Sequence, residues 1–310
     1  MLKQKKTFLI IFVPIIIFLI LIKFIDTFFQ KKYGLGNPII YENSRIYGYK
    51  IKANQNIKRK GNKIIINNLG MRSNKSWEEN LIKKKILFFG DSVTYGGSIV
   101  SNNDLFSEKI CKQLNKDIDN YICGNLGANG YSLHSIIRRI KYKEFDNEDL
   151  IIVTIISNNF PRIFHNSISQ PFWTKKISNF YPALTEIFFI YLDKLRNKAK
   201  YNLGSEDVFE NINLQYYNDL TNELEEVLNK NNKPYIIFYS PSLNELGKIR
   251  DNYFKNILKD KFKNFYDLGD IQYIEKKNLY YDNIHLNKKG HDEYSKFILS
   301  IIKEKYLNKI

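Results

Sequence analysis

Apolar positions along the chain form short runs and periodic stretches that alternate with polar segments. The run 150–156 is apolar and rich in β-branched residues, which is typical of a strand buried on both faces. Predicted strands are residues 85–89, 121–122, 150–156, 235–239 and 265–268. Predicted helices, from apolar spacing of three and four, are residues 105–114, 135–142, 183–198, 214–229, 246–258 and 288–307. This alternation predicts βαβ units, and therefore a three-layer α/β/α sandwich around a parallel sheet.

The most apolar segment lies near the N-terminus. Residues 8–22 include no charged or strongly polar side chain, and counting through Ile25 gives eighteen residues. With the Lys23 side chain reaching the membrane surface, this length is near the lower limit for crossing a hydrocarbon core about 30 Å thick. No small-residue cleavage site follows, because the first alanine is Ala53. We therefore expect an uncleaved signal anchor, a single transmembrane helix over about residues 8–25.

The anchor divides the chain into three predicted parts. These are a cytoplasmic tail and anchor over residues 1–30, an irregular extension over 31–83 and the α/β domain over 84–310. Lysines stand on both sides of the apolar run, so the positive-inside rule gives no clear orientation. Long domains are translocated largely regardless of their charge. We expect a single-pass membrane protein with its α/β domain outside the cytoplasm, in the periplasm or at the cell surface.

Composition narrows the classes of partner. The 310 residues include 48 Lys and Arg against 32 Asp and Glu, a net charge of +16. The lysines are scattered, and no zinc-finger spacing or RNA-recognition motif accompanies them, so we expect a solvated basic surface and no nucleic acid. No metal-ligand spacing is found, and neither a metal nor a cofactor is expected. Cys111 and Cys123 are interpreted as two buried thiols, with a disulfide as the open alternative.

A serine follows the first predicted strand directly. Residues 90–96 read Gly-Asp-Ser-Val-Thr-Tyr-Gly, and the strand 85–89 ends just before them. A serine at this place lies at the carboxyl edge of a parallel sheet, where reactive groups gather. Ser92 is therefore a candidate nucleophile. By itself the motif is equally compatible with an ordinary turn that caps a short helix.

Two further candidate catalytic residues lie near the C-terminal end of the sequence. Asp282 and His285 lie three positions apart in one loop, just before the last predicted helix. At this spacing the carboxylate can bind one ring nitrogen, while the other nitrogen faces outward as a base. His134 and His165 have no comparable acidic neighbour, and His291 is interpreted as a packing residue of the helix.

Two further strand-end loops contain groups able to stabilise an oxyanion. Gly127 lies in the segment Asn-Leu-Gly-Ala-Asn-Gly at 125–130, where the missing side chain lets the backbone approach a ligand. Asn158 follows the strand 150–156, and its amide can donate into the same crevice. Each loop alone is also compatible with a polar turn. Together the four loops supply a nucleophile, two donors and a base.

With these motifs the chain resembles the SGNH hydrolases, the GDSL-type esterases and lipases, over about residues 84–307. The resemblance implies a flavodoxin-like sandwich with Ser92 as nucleophile, His285 as base and Asp282 as its orienting carboxylate. It implies an oxyanion hole of the Ser92 and Gly127 N–H groups and the Asn158 amide. The third motif of this family is typically Gly-x-Asn-Asp, and residues 156–159 read Ile-Ser-Asn-Asn in its place. Ile156 thus replaces the glycine and Asn159 the aspartate, so Asn159 is an alternative donor. Residues 38–75 are similar to a leader found in some membrane-anchored members.

The resemblance implies acyl transfer through an acyl-enzyme. The first hypothesis is a serine esterase that removes acyl groups from a cell-envelope glycan or a small ester. The alternatives are an O-acyltransferase at the same site and an inactive SGNH domain that binds glycan or acts as a scaffold. Six aromatic residues after the third motif either line a substrate cleft or pack under a long loop: Phe160, Phe164, Phe172, Trp173, Phe180 and Tyr181.

Overall fold

The computed structural model describes residues 2–77, 83–116, 120–162, 178–201, 214–246, 252–272 and 275–306. The chain forms two compact units. One comprises Met1–Ile39, Ile57–Gly61 and Pro171–Asn211, and the other comprises Ile40–Asn56, Asn62–Gln170 and Ile212–Ile310. We call them the helical unit and the sheet unit. Residues 40–56 and 62–83 of the predicted extension are therefore part of the sheet unit.

The centre of the sheet unit is a five-stranded sheet in which every neighbouring pair is parallel. Its strands are β5 (Lys84–Phe89), β6 (Tyr121–Asn125), β7 (Leu150–Ile155), β8 (Tyr235–Tyr239) and β9 (Phe265–Asp267). They are arranged in the order β6-β5-β7-β8-β9. This is the flavodoxin-like order, in which the chain reverses direction across the sheet between β5 and β7. Ligands of such sheets bind outside the carboxyl ends of the strands at that reversal.

Helices cover both faces of the sheet. The described helices of the sheet unit are α2 (Ser92–Tyr95), α3 (Phe106–Leu114), α4 (Leu133–Lys141), α6 (Leu214–Lys230), α7 (Leu243–Leu246), α8 (Tyr253–Lys261) and α9 (Lys288–Lys305). On one face α3 packs against α9, and Phe88, Phe106 and Ile298 belong to one buried cluster there. On the other face α4 packs against α6. The predicted α/β/α sandwich is confirmed.

Four short strands precede the sheet: β1 (Tyr41–Ser44), β2 (Gly48–Ile51), β3 (Gln55–Arg59) and β4 (Asn62–Ile66). Strands β1 and β2 pair as an antiparallel hairpin. Tyr49 of this hairpin is buried, and its hydroxyl donates to the Asn129 carbonyl in the loop after β6. In return the Tyr131 hydroxyl donates to the Tyr49 carbonyl at 2.6 Å. The hairpin therefore supports a loop at the carboxyl edge of the sheet.

The helical unit contains α1 (Leu2–Tyr33) and α5 (Pro182–Tyr201). Within α1, the segment Phe12–Tyr33 is long and apolar enough to cross a membrane, with a mean hydropathy of 2.4. This length and composition fit a single-pass anchor or a signal sequence. Most of the described apolar side chains of the segment are exposed.

The structure alters one predicted helix and shows both cysteines as free thiols. The helix predicted over 246–258 is wrong in its bounds, because Asn252 has extended backbone and α8 begins at Tyr253, while residues 247–251 lie outside the described residues. The Asn252 side chain accepts the Lys255 N–H and caps α8, which starts this helix afresh. Cys111 and Cys123 are free, buried thiols. Burial raises the pKa of the Cys123 thiol well above its usual value, with the neighbouring Cys111 thiol adding to the effect.

Candidate active site

Ser92 is presented by a sharp turn at the end of β5. Gly90 has φ of 157°, and a Cβ there would lie 2.1 Å from Thr94 Oγ1 and 2.7 Å from the Thr154 carbonyl oxygen. Only glycine fits this position without a shift of its neighbours. The Asp91 side chain then accepts the Val93 N–H at 2.9 Å and caps α2, whose first residue is Ser92. The turn places Ser92 at the carboxyl edge of the sheet, between β5 and the loops after β6 and β7.

Asp282 and His285 come from the loop before α9. Asp282 Oδ1 accepts the backbone N–H groups of Ile284 at 2.9 Å and His285 at 2.8 Å, so the carboxylate organises its own loop. Asp282 Oδ2 lies 2.8 Å from His285 Nδ1. His285 Nε2 lies 2.8 Å from Ser92 Oγ. The structure thus brings the three predicted residues into one hydrogen-bonded chain.

The charge state of Asp282 determines the direction of these bonds. Burial alone would raise the pKa of Asp282, but the two backbone N–H groups and the His285 ring outweigh it and hold the pKa below its ordinary value. An ionised carboxylate only accepts hydrogen bonds, so Nδ1 of His285 carries the proton that Asp282 accepts. In the neutral imidazole, Nε2 is then the acceptor that faces the Ser92 hydroxyl. This is the tautomer that a general base needs.

Gly127 lies directly against the turn that holds Ser92. A Cβ at this position would lie 2.6 Å from Tyr95 N and 3.0 Å from the Asp91 carbonyl oxygen, so the absence of a side chain permits the close approach. The Gly127 N–H donates to Asn125 Oδ1 at 3.0 Å. Asn125 in turn donates to the Thr94 carbonyl at 2.6 Å. Gly127 therefore packs closely against the nucleophile turn, and its N–H is bonded to Asn125 in this structure.

The two asparagines after β7 have different environments. Asn158 is exposed, and its Oδ1 lies 3.5 Å from Ser157 Oγ. Asn159 is fully buried, where its Oδ1 accepts the Ile156 N–H at 2.7 Å and its Nδ2 donates to the Tyr131 carbonyl at 2.8 Å. Both amide groups of Asn159 are thus used in folding the loop. Of the two residues, Asn158 has the side chain that can reach a ligand.

An ion pair that the motifs did not indicate joins these loops. Arg162 Nη1 donates to Asp91 Oδ2 at 2.6 Å and to the Tyr131 carbonyl at 3.1 Å. The Asp91 side chain is buried, whereas that of Arg162 is 24% exposed. The loops after β5, β6 and β7 therefore share one charged contact beside Ser92. The cue in the sequence is weak, a lone arginine in an otherwise uncharged stretch.

The other candidate residues lie elsewhere. His134 accepts a hydrogen bond from Arg138 within α4, and His291 is fully buried on α9. Phe160 is buried and stacks on Phe254 with ring centroids 4.6 Å apart, so it is packed inside the described part of the sheet unit. Phe180 and Tyr181 precede α5 in the helical unit. Three predicted aromatic residues and one histidine lie outside the described residues: Phe164, Phe172, Trp173 and His165.

No protein-family model and no curated protein matches the chain. Among solved structures it is similar to a two-domain esterase active on acetylated mannans, with 13% identity, a TM-score of 0.43, and coverage of 72% of this chain and 49% of that one. It is similar to a member of the lipolytic G-D-S-L family from Veillonella parvula, with 12% identity, a TM-score of 0.41, and coverage of 73% and 100%. It is also similar to the psychrotrophic esterase EstA from Pseudoalteromonas sp., with 11% identity, a TM-score of 0.44, and coverage of 73% and 100%.

Proposed function

We propose that this protein is a membrane-anchored serine esterase with Ser92 as nucleophile. The observation that carries the proposal is the hydrogen-bonded chain from Ser92 Oγ through the His285 ring to Asp282, with both bonds at 2.8 Å. Nucleophile, base and orienting carboxylate within these distances are the arrangement used by enzymes that transfer acyl groups. A binding module has no need of this alignment.

In the first half-reaction His285 Nε2 accepts the proton of Ser92 as Oγ attacks the ester carbonyl carbon. The carbonyl π pair moves onto oxygen and gives a tetrahedral oxyanion. Its collapse breaks the ester C–O bond, and the His285 imidazolium donates its proton to the leaving alcohol. In the second half-reaction His285 accepts a proton from water as the water oxygen attacks the acyl-Ser92 carbonyl carbon. Collapse of this second oxyanion breaks the C–Oγ bond, the imidazolium returns its proton to Ser92 Oγ, and the acid is released. Asp282 stabilises the imidazolium in both halves.

The oxyanion needs donors beside Ser92. The first N–H groups of a helix have no intrahelical acceptor, and Ser92 is the first residue of α2, so its N–H is one proposed donor. The second proposed donor is the exposed Asn158 amide at the carboxyl end of the adjacent strand. Gly127 was expected to donate as well, but its N–H is directed to Asn125. We therefore propose for Gly127 the role of allowing the loop after β6 to approach Ser92.

The proposed substrate is an O-acyl group on a cell-envelope glycan. Two features support this choice: the apolar helix α1, which would keep the enzyme at a membrane, and the resemblance of the motifs to those of SGNH esterases. We propose that α1 spans the membrane once and that the sheet unit lies outside the cytoplasm. Release of the free acid from an acetylated polysaccharide by the full chain in detergent tests the substrate class.

Hydrolysis is tested directly with a short aryl ester. The full chain in detergent should release the alcohol and the free acid in equal amounts, and Ser92→Ala should abolish the release of both. Ser300→Ala is the matched control, an exposed serine on α9. If a sugar alcohol added as acceptor receives most of the acyl group, the enzyme is a transferase at the same site. If Ser92→Ala retains full turnover, the proposal is wrong.

A further inference from the structure

Helix α5 has an apolar surface that the described part of the chain leaves open. Residues 187–192 are Ile, Phe, Phe, Ile, Tyr and Leu, and every one of these six consecutive side chains is 37% to 59% exposed. Six residues extend beyond one full turn, so the exposed apolar surface surrounds the helix. A helix that is apolar all round is stable where it is surrounded by protein or lipid. An exposed apolar surface of this kind marks an interaction site.

The beginning of α5 is attached to α1 by a buried carboxylate. Asp26 of α1 is fully buried, and its Oδ1 accepts the N–H of Leu184, the third residue of α5, at 3.0 Å. The other oxygen of Asp26 accepts the Gln30 side chain at 2.5 Å. An N–H in the first turn of a helix has no intrahelical acceptor, so Asp26 caps α5 from the neighbouring helix. A negative charge at this end of a helix is also favourable.

A second polar contact fixes the next turn of α5. Glu186 is buried and forms a bidentate ion pair with Arg59, in which each carboxylate oxygen accepts a hydrogen bond from one guanidinium nitrogen. It also accepts the Gly36 N–H at 2.6 Å. All of these residues belong to the helical unit. The start of α5 therefore has a defined position on the end of α1, immediately before the exposed apolar turns begin.

The attachment lies where α1 would leave the hydrocarbon core. The predicted span of about residues 8–25 ends just before Asp26, and the first charged residues after the apolar run 8–22 are Lys23 and Asp26. One turn earlier, the Lys23 ammonium group donates to the Phe180 carbonyl at 2.7 Å, just before α5. If α1 spans the bilayer, these polar contacts lie at the membrane surface. The exposed apolar turns of α5 then begin at the same level as that surface.

The length and charge of α5 indicate how it meets the membrane. Its apolar part, Pro182–Leu192, has 11 residues and a length of about 16 Å, which is roughly half of a 30 Å hydrocarbon core. It cannot cross the bilayer. The remainder of the helix has four basic residues and one acidic residue between positions 193 and 200. Apolar turns joined to a basic segment are typical of helices that lie in the interface of anionic membranes.

We propose that α5 is a second membrane-contacting helix. It buries residues 187–192 in the interfacial region of the leaflet nearest to the C-terminal end of α1. The occupant of the apolar surface is lipid. The inference rests on α1 spanning the membrane, which is part of the proposed function. The choice of lipid follows from continuity with the exposed apolar surface of α1 and from the basic segment that completes the helix.

Quenching of tryptophan fluorescence by brominated lipids tests the proposal in the full chain. Four variants are reconstituted in vesicles of phosphatidylcholine and phosphatidylglycerol with brominated acyl chains. Phe188→Trp and Tyr191→Trp report on α5, and Ile17→Trp reports on α1. Tyr216→Trp is the matched control, since Tyr216 is an aromatic residue 46% exposed on helix α6 of the sheet unit. The emission of the parent, which includes Trp77 and Trp173, is subtracted.

The proposal predicts that the added emission of Ile17→Trp and of at least one α5 variant falls by about twofold or more, while that of Tyr216→Trp is unchanged. Quenching at Ile17 without quenching at either α5 position overturns the inference and leaves the anchor intact. Blue-shifted but unquenched emission from α5 points to protein, such as a second copy, and also overturns it. Absence of quenching at Ile17 refutes the anchor and the inference together. Quenching at all positions contradicts a contact specific to α5.

Discussion

At the scale of single residues, the site depends on which atoms face Ser92. The motifs predicted Ser92, Asp282 and His285, because a strand-end serine and an Asp three positions before a His have a direct chemical interpretation. Arg162 and Asn125 could not be predicted in this way. Their contacts depend on where the loops after β6 and β7 lie in space, and no spacing in the sequence encodes that. For the same reason the sequence left Asn158 and Asn159 as alternative donors, and the choice of Asn158 is a proposal from its exposure.

Asp282→Asn should reduce kcat by about 10⁴-fold, because an amide no longer fixes the tautomer of His285 or stabilises the imidazolium. KM for a small ester should change little, since the Asp282 side chain contacts the His285 ring and its own loop. Steady-state kinetics of the full chain measure both constants. Asp270→Asn is the control, an exposed aspartate of the same unit. A kcat for Asp282→Asn within threefold of the parent value would exclude Asp282 as the orienting residue.

Alanine substitutions of the two asparagines after β7 should have different effects, one on activity and the other on stability. Asn158→Ala should lower kcat by about 10²–10³-fold with little change in stability, as expected for loss of one oxyanion donor. Asn159→Ala should lower the free energy of unfolding by about 1–3 kcal/mol, because the buried Ile156 N–H and Tyr131 carbonyl lose their partner. Ester turnover and urea unfolding measure the two effects. The reverse assignment of effects would make Asn159 the donor.

His291 provides a pH-dependent contribution to stability. Burial, with Arg72 and Lys109 nearby, lowers the pKa of His291 to about 3 from an ordinary value of 6.5. Between these values the unfolded chain binds a proton that the folded chain excludes, so stability falls as pH falls. From pH 6 to pH 4 the parent should lose about 2–3 kcal/mol more than His291→Phe.

Chemical unfolding of the parent and His291→Phe at the two pH values measures this difference. Phenylalanine keeps a ring beside Phe106, whose centroid lies 5.6 Å from that of the imidazole. The difference between the two proteins in pH dependence therefore measures the effect of protonating His291. Parallel loss of stability in both proteins would show that His291 protonates freely in the folded state.

At the scale of elements, the hydrophobic pattern predicted all five strands of the sheet but not their order. The periodicity and length of the apolar segments show which of them are strands. Which strands are neighbours in the sheet depends on long-range packing. The order explains why the site forms: β5 and β7 are adjacent, so Ser92 and Asn158 follow neighbouring strands. The hairpin β1–β2 was predicted only as irregular extension. Its strands have four residues each and contain several polar side chains, so their alternation gives little signal.

The contact between Arg162 and Asp91 connects two of these strand-end loops. In Arg162→Met the buried Asp91 carboxylate loses its charged partner, and the free energy of unfolding should fall by about 2–3 kcal/mol, less than for a fully buried pair because Arg162 is partly exposed. Reaction of Ser92 with a phosphonate should also slow, since the Asp91 side chain caps α2.

Denaturant unfolding and labelling rates of three variants measure these effects. Arg162→Lys should recover part of the stability, because lysine keeps the positive charge but lacks the planar guanidinium group. The double variant Asp91→Asn with Arg162→Met should recover more than Arg162→Met alone, because it removes the buried charge. Equal stability of the parent and Arg162→Met would contradict a role for the pair in holding the loops.

At the scale of the whole molecule, the chain combines a sheet unit that contains the site with a helical unit of exposed apolar surface. The long apolar helix α1 was predictable, because an apolar run of this length is typical of a membrane-spanning or signal segment. The participation of α5 and of Ile57–Gly61 in the helical unit was not, since these segments are far from α1 in the sequence. Their assembly depends on Asp26, Arg59 and Glu186, three charged residues that become buried only in the folded chain.

The central claim is that His285 activates Ser92. The measurement that tests it most directly is covalent labelling of the full chain in detergent by a fluorophosphonate, since such a probe reacts with an activated serine whatever the natural substrate. We predict stoichiometric labelling of the parent and of Ser300→Ala, no labelling of Ser92→Ala, and strongly slowed labelling of His285→Ala. A folded parent that is not labelled, or a Ser92→Ala variant labelled as fast as the parent, would contradict the account.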